Sequence, residues 1–341
     1  MEYFLPLAMM ISFLAVYLLS PVAKKFLYAV GNVGLDLHKK NRPKISSGGG
    51  IIVAFGILTG LFLYIGLETF LGQNNFGVEE FLAVTSSILI VTFVGFLDDL
   101  NVKSRPTKTK EGKDIRVGIP QKIKPLLTLF AAIPLIVVNA GQTTITIPFV
   151  GQTNVGLLYP FLLVPIGMVG ATNMINMLGG FNGSEAGMAI IYTSALGIYA
   201  FLSQSSAFPI LFITLASLLG FIKYNWHPAK ILPGDSLTYL LGSVVATSVI
   251  VGNIELAGVV ILFPFFIEGL LKARKKFDAT SLGKLRSDGK LDPPYGNKIY
   301  SWTHLWMNLG RFSEQQITIL LIVCQLLFSV LGLLLLWTKI I

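Results

Sequence analysis

Residues 317–338 read ITILLIVCQLLFSVLGLLLLWT, twenty-two consecutive positions without a charged side chain. A bilayer's hydrocarbon core is about 30 Å thick, and about 20 apolar residues of α-helix cross it. This run meets that requirement alone. Nine comparable stretches precede it, near 3–22, 49–70, 79–97, 123–140, 157–171, 184–202, 207–222, 236–251 and 254–273. The chain is 53% hydrophobic and only 13% charged, where a soluble domain is about one-quarter charged. Its mean hydropathy is +0.72. The stretches therefore read as membrane spans rather than core helices. The first is too long and too weakly flanked to be a cleaved leader. The expected fold is an all-α polytopic membrane protein, one domain over 1–341, with about ten transmembrane helices.

The charges sort by connection. Loops 23–48, 98–122, 172–183, 223–235 and 273–316, with the residues that flank them, hold 25 of the 26 basic residues and all eight aspartates. The intervening connections hold no Lys or Arg, and Lys339 lies at the C-terminus. Basic loops stay cytoplasmic, which puts these five loops inside and both termini outside. The net charge of +9 is then a topology signal, not a nucleic-acid one; part of it also suits anionic headgroups or substrates. The single cysteine, Cys324, permits neither an internal disulfide nor a cysteine metal site.

Between the fourth and fifth spans, the alternating β-branched Thr143–Pro148 and the following Gly151–Asn154 predict a short external hairpin. In the ninth connection, residues 299–310 carry Trp302 and Trp306 and read as an amphipathic segment at headgroup level.

Four polar constellations fall on the basic side. Asp98 and Asp99 end the third span. A helix C-terminus carries partial negative charge and disfavours acids, so the pair needs a cation, either Mg²⁺ or basic side chains. The segment from Asn173 to Glu185 places Asn173, Asn176, Asn182 and several glycines, including Gly180, in one turn. Amide oxygens are hard ligands for Mg²⁺, and exposed N–H groups at a helix start receive phosphate or a base; an ordinary helix-breaking turn fits the composition equally well. Asp235 opens the eighth span, where alone it reads as an N-cap. The fourth constellation is basic: Lys122 and Lys124 before the fourth span, then Lys272, Arg274, Lys275, Lys276, Lys284, Arg286 and Lys290 after the ninth. Most of these satisfy positive-inside sidedness individually; as a set they would neutralise a diphosphate. His38, His227 and His304 lack metal-type spacing.

In this order the elements resemble the polyprenyl-phosphate N-acetylhexosamine-1-phosphate transferase family over nearly the whole chain. The segment NMINMLGGFNGSEAG, residues 173–187, is most similar to the dolichyl-phosphate N-acetylglucosamine-1-phosphotransferase branch. The resemblance implies transfer of N-acetylhexosamine-1-phosphate from a UDP-sugar to a polyprenyl phosphate with release of UMP. It implies Asp98, Asp99 and Lys124 as catalytic, and Asn176 and Asp235 as ligands of Mg²⁺, with Mn²⁺ an alternative. It implies Gly180 and Asn182 as uracil contacts, and Glu185 and Asn173 within the same motif. Arg274, Lys284 and Arg286 stand near the place of the family's His/Arg-rich motif, where this chain reads Asp278–Ser281. Leu232 replaces an aromatic of the branch. The expected partners are a UDP-N-acetylhexosamine, a polyprenyl phosphate and the membrane, with no nucleic acid; a homodimer stays open. The expected location is a prokaryotic, more specifically archaeal, plasma membrane with the active site cytoplasmic. A bacterial-type undecaprenyl-phosphate transferase is the nearest alternative. A transporter is the alternative of another class, but it should carry its functional charges inside the spans, where Glu268 is the clear exception to apolar composition.

Overall fold

The computed structural model describes residues 3–72, 77–100, 118–147 and 151–338, and the backbone of 107–108 and 114–115. The basic residues between 101 and 117 and Lys339, like the turn at Pro148, lie outside the described side chains.

Among the described residues, eight continuous helices are long and apolar enough to cross a bilayer. They are α1 (Leu5–Ala29), α2 (Gly49–Leu71), α3 (Val78–Asp99), α6 (Val164–Met177, extended N-terminally by a π-helical turn from Tyr159), α7 (Ser184–Leu202), α8 (Phe208–Asn225), α9 (Gly234–Val251) and α13 (Glu314–Trp337). The other two expected spans are broken, and proline accounts for both breaks. The fourth consists of α4 (Lys124–Leu129), a 3₁₀ turn (Phe130–Ala132) and α5 (Ile133–Val137), with Pro125 and Pro134 in the first turns of the two helices. At about 1.5 Å per residue, Lys124–Val137 covers about 21 Å, short of a full crossing. The ninth is α10 (Glu255–Ile261) followed by α11 (Phe263–Ala273), bent by 63°. Pro264 in the first turn of α11 supplies no N–H, the Phe265 N–H turns to Leu262 O at 2.9 Å, and Ile261 O, left without its helical donor, accepts from Gln325 Nε2 of α13 at 2.9 Å. The amphipathic segment of the ninth connection forms α12 (Trp302–Leu309). Its Trp302 indole is tied to protein, donating to Pro264 O at 2.9 Å.

The expected hairpin is present, pairing Thr144–Ile147 with Gly151–Asn154. Three further two-stranded ribbons pair 33–35 with 44–46, 107–108 with 114–115, and 284–285 with 291–292. Their strands are two or three residues long, too short for alternation to register in the sequence.

Helix α9 runs through the centre, packed against α3, α6 and α2. Small residues permit this approach. A Cβ on Gly242 would lie 2.3 Å from Thr172 Cα, one on Gly50 2.1 Å from Leu237 N, and one on Gly95 2.6 Å from Asp235 O. Inter-element bonds sort the loops into two ends. At one end, Ser46 bridges Ile231, Asn182 bonds Asp36 and Glu314, Ser281 bonds Met177, and Asp99 bonds Asp235. At the other, Ser205 bonds Gly252 and Tyr159 bonds Glu255. The four aspartate-bearing connections and the asparagine-rich 172–183 connection thus share one end of the bundle.

Candidate active site

Adjacent residues on a helix point about 100° apart, and this separates the two acids that end α3. Asp99 is buried and turned toward the start of α9. Its Oδ1 accepts the Asp235 N–H at 2.7 Å and its Oδ2 the Ser236 N–H at 3.0 Å. It caps a neighbouring helix, at the end where the dipole favours an anion. Gly234 makes the approach possible: its φ is +73°, and a Cβ there would sit 2.2 Å from Asp99 Oδ2.

Asp98 faces the other way. Its Oδ2 accepts from Lys124 Nζ at 2.5 Å, and its Oδ1 from the Ile119 N–H at 2.5 Å. Lys124 opens α4 and also donates to Asp235 Oδ2 at 2.9 Å. Its ammonium therefore bridges two carboxylates from helices α3 and α9. The Asn176 carboxamide, in the last turn of α6, approaches the same Asp235 oxygen through Nδ2 at 3.4 Å, while its Oδ1 accepts from Thr238 Oγ1 at 2.6 Å. Asp98, Lys124, Asn176 and Asp235 thus join in one chain of contacts from four elements. Asn173, one turn before Asn176, donates to Val169 O at 2.8 Å and Thr128 Oγ1 at 3.2 Å, tying α6 to α4.

This donor set bears on a divalent cation. Among the described residues, no three His, Cys, Asp or Glu side chains are placed to hold a metal, and both Asp99 oxygens are engaged by the start of α9. Asp98 and Asp235 nevertheless offer hard oxygens beside the Asn176 amide. Asp235 accepts from the Asn176 NH₂ here, and because the O and N of an amide exchange by a simple flip, a cation between the two side chains would let Asn176 present its oxygen instead. The Asp235 side chain is 33% exposed, open on one side to a ligand. Two carboxylates and an amide with an open face fit Mg²⁺, which keeps several waters and takes few protein ligands.

The rest of the 173–185 segment forms a turn next to this chain. Glu185 folds back on it: Oε1 accepts the Gly180 N–H at 2.7 Å and Oε2 the Ser184 hydroxyl at 2.7 Å. Gly180 has φ +100°, a conformation that favours glycine. Asn182 is buried, with its N–H donated to Glu314 Oε1 at 2.9 Å and its Nδ2 to Asp36 Oδ2 at 2.9 Å. Around Asn182 lies a network the sequence reading did not single out. Lys39 Nζ bonds Glu314, stands 3.4 Å from Asp36 and 3.3 Å from His227 Nδ1. The His38 ring stacks on Phe181 with centroids 4.7 Å apart. The available signal was a cluster of polar residues in the first loop beside the basic side's other loops, with nothing to say which partners they would find.

The ninth connection reaches this turn through Ser281, whose hydroxyl donates to Met177 O at 3.1 Å. Lys272 Nζ donates to Ser281 Oγ and to Ala279 O, both at 2.8 Å, so it fixes the Asp278–Ser281 loop. His304 is buried under it, Nε2 2.9 Å from Thr280 O, and burial pushes it down to about 4. The other basic residues point elsewhere. Arg274 donates to Ile299 O at 3.2 Å and lies over the Tyr300 ring. Arg286 pairs with Asp292 and Asp288, and Lys284 is exposed on its ribbon. Among the described residues, no hydrogen bond or ion pair links these three to Asp98, Lys124 or Asp235. Leu232 contributes main chain: its C=O accepts from Gly49 N–H at 3.0 Å and its N–H donates to Ser46 O at 2.8 Å.

Comparison with known proteins matches residues 81–253, which contain Asp98 through Asp235, to the family model described as glycosyl transferase family 4. A protein of Saccharolobus solfataricus is 32% identical over 91% of this chain and 89% of its own length; its name, itself provisional, is UDP-N-acetylglucosamine–dolichyl-phosphate N-acetylglucosaminephosphotransferase. The Dictyostelium discoideum protein of the same enzymatic name is 25% identical over 94% of this chain and 85% of its own length. A phospho-N-acetylmuramoyl-pentapeptide-transferase of Clostridium perfringens is 29% identical over 77% of this chain and 80% of its own length.

Proposed function

The chain belongs to glycosyl transferase family 4, and from that premise we propose that it transfers N-acetylglucosamine-1-phosphate from UDP-N-acetylglucosamine to a dolichyl-type polyprenyl phosphate. The reaction releases UMP and begins lipid-linked glycan assembly. The names of the relatives from Saccharolobus solfataricus and Dictyostelium discoideum support the substrates. The observation that carries the chemistry is the Lys124 ammonium held between Asp98 and Asp235.

Both reactants are anionic, and their approach must be offset by fixed positive charge. An oxygen of the lipid phosphate attacks the β-phosphorus of the nucleotide sugar; the new P–O bond forms as the diphosphate P–O bond breaks, and its electron pair leaves with UMP. Lys124 neutralises the bridging and equatorial oxygens of the transferring group. A phosphate monoester has a second pKa of about 6, so the acceptor is largely dianionic at neutral pH and requires no strong base. Asp98 accordingly acts by holding Lys124 in place, and Asp99 by fixing the start of α9 that presents Asp235. Asp235 and Asn176 would hold Mg²⁺, which when bound supplies Lewis-acid polarisation of the diphosphate. The Gly180–Asn182 turn takes the nucleobase. The site faces the cytoplasm and both termini lie outside, on the strength of the lysine distribution.

The test is UMP release by detergent-purified protein given UDP-N-acetylglucosamine with dolichyl or undecaprenyl phosphate. Release that requires both the lipid phosphate and Mg²⁺, with product mass matching a sugar-diphospholipid, supports the proposal. No release with either lipid, or release without any acceptor, contradicts it. Preference for undecaprenyl phosphate would move the assignment to the bacterial type.

A further inference from the structure

Thr238 stands one turn after Asp235 on α9 and is buried, at 4% exposure. Its hydroxyl donates to Asn176 Oδ1 at 2.6 Å and lies 3.2 Å from the carbonyl oxygen of Asp235. Charge dictates the direction of the first bond. Lys124 keeps Asp235 ionised, its ammonium 2.9 Å from Oδ2, and a carboxylate only accepts hydrogen bonds. Asp235 therefore faces the Asn176 NH₂, at 3.4 Å. The amide oxygen is left to Thr238, which must donate. A cation held by Asp235 and Asn176 demands the opposite arrangement. Only the amide oxygen can ligate it, so oxygen and NH₂ change places and the NH₂ comes to Thr238. There the hydroxyl must accept. Its own hydrogen then has a partner already in place, the Asp235 carbonyl. A hydroxyl has one donor and two acceptor sites, whereas a carbonyl or an ammonium at this position would match one orientation of the amide alone.

We propose that Thr238 is a positioning residue for the divalent cation: its hydroxyl reverses from donor to acceptor, and so lets the Asn176 amide turn its oxygen to the metal with no buried polar group left unpaired. The inference rests on the reading above that Asn176 and Asp235 hold Mg²⁺. Groups that orient a metal ligand from behind are typically worth about 10–100-fold in metal affinity. Removing the hydroxyl should act on the cation-bound state. Without a cation, the half-buried Asn176 is free to swing its amide toward water. With its oxygen committed to a cation, its NH₂ is committed as well, and against an apolar side chain that donor has no acceptor.

The experiment measures Mn²⁺ binding to the purified full-length protein through loss of the free-ion electron paramagnetic resonance signal, with no substrate present. Wild type should show a saturable site that Asp235→Ala removes. Thr238→Val should weaken that site at least about tenfold, and Thr238→Ser, which keeps the hydroxyl, should stay within about threefold of wild type. In lipid-dependent UMP release, Thr238→Val should need at least about tenfold more Mg²⁺ for its half-maximal rate, and added Mg²⁺ should restore most of the rate. A packing defect would instead lower the rate alike at every Mg²⁺ concentration. Wild-type Mn²⁺ affinity in Thr238→Val, or a loss in Thr238→Ser equal to that in Thr238→Val, overturns the inference. Thr238→Ala removes the same hydroxyl and decides the matter if the valine variant does not fold. A wild type without a saturable site, or with one that survives Asp235→Ala unchanged, contradicts the metal assignment itself and the inference with it.

Discussion

Asp99→Asn separates a structural acid from a chemical one. Asp99 gives one carboxylate oxygen to each of two N–H groups at the start of α9, at 2.7 and 3.0 Å. Hydrogen bonds to a charged group contribute about 1.5–3 kcal/mol each. Asparagine keeps one oxygen and turns an NH₂ toward the second N–H, so one such bond is lost and a buried donor is left unpaired. The expected cost is about 2–3 kcal/mol. At about 2–4 °C per kcal/mol, the unfolding midpoint in detergent should fall by roughly 4–12 °C. One of the two N–H groups is that of Asp235, so part of the cost displaces the carboxylate paired with Lys124. If about 2 kcal/mol is expressed in the transition state, turnover falls roughly 30-fold. Asp98→Asn removes the partner of Lys124 directly and should cost more rate with less stability. The assays are thermal unfolding of the detergent-solubilised protein and lipid-dependent UMP release, run on both variants. Asp99→Asn with a wild-type midpoint and a rate loss beyond about 10⁴ would show Asp99 acting on the substrate and refute the capping argument.

Three other outcomes follow from the same geometry. Gly234→Ala places a Cβ 2.2 Å from Asp99 Oδ2 at φ +73°, where an L-residue costs about 1–2 kcal/mol before any clash; it should lower the unfolding midpoint more than Asp99→Asn, which circular dichroism melts would resolve. With Cys324 replaced by serine, a cysteine at exposed Asp288 should react with a membrane-impermeant maleimide only in broken cells, and one at exposed Gln152 in intact cells; the reverse pattern would invert the topology. Burial holds His304 at about 4, below its ordinary value of about 6.5. The unfolded chain therefore takes up the proton first as pH falls, and the stability present above about 6.5 is lost progressively toward 4. Midpoints measured between pH 4.5 and 7.5 should show this slope, and His304→Gln should flatten it.

Much of the architecture was legible because membrane spans obey composition. The ten apolar stretches appear as eight continuous helices, one bent pair and one short broken segment, and the aspartate-bearing loops share one end. The two breaks carried a signal in Pro125, Pro134 and Pro264, but proline in a span can also be accommodated by neighbouring groups, so the outcome depended on packing partners such as Gln325. The joining of Asp98, Lys124, Asn176 and Asp235 was anticipated by their placement on one side of the membrane together with the family resemblance. The division of labour between Asp98 and Asp99 was not. Two identical neighbours differ only in direction, and direction is fixed by what α9 places opposite each. The Asp36–Lys39–Glu314–Asn182 network was equally invisible, since it joins residues as distant as Lys39 and Glu314, 275 positions apart. Ordinary charge patterning accounts for each of them singly; only the fold brings Asp36, Lys39 and Glu314 together around Asn182.

The most direct test of the shared centre is a double-mutant cycle on Lys124 and Asp235, read as lipid-dependent UMP release per folded molecule. Lys124→Met leaves two facing carboxylates without their common cation, and removing one partner of a buried pair costs about 3–5 kcal/mol, about 10²–10³-fold or more in rate. Asp235→Ala should cost at least as much. Residues that act as a unit are not additive, so the double variant should be no worse than the poorer single variant within about tenfold. Losses that simply multiply, or either single variant turning over at the wild-type rate, would contradict the account.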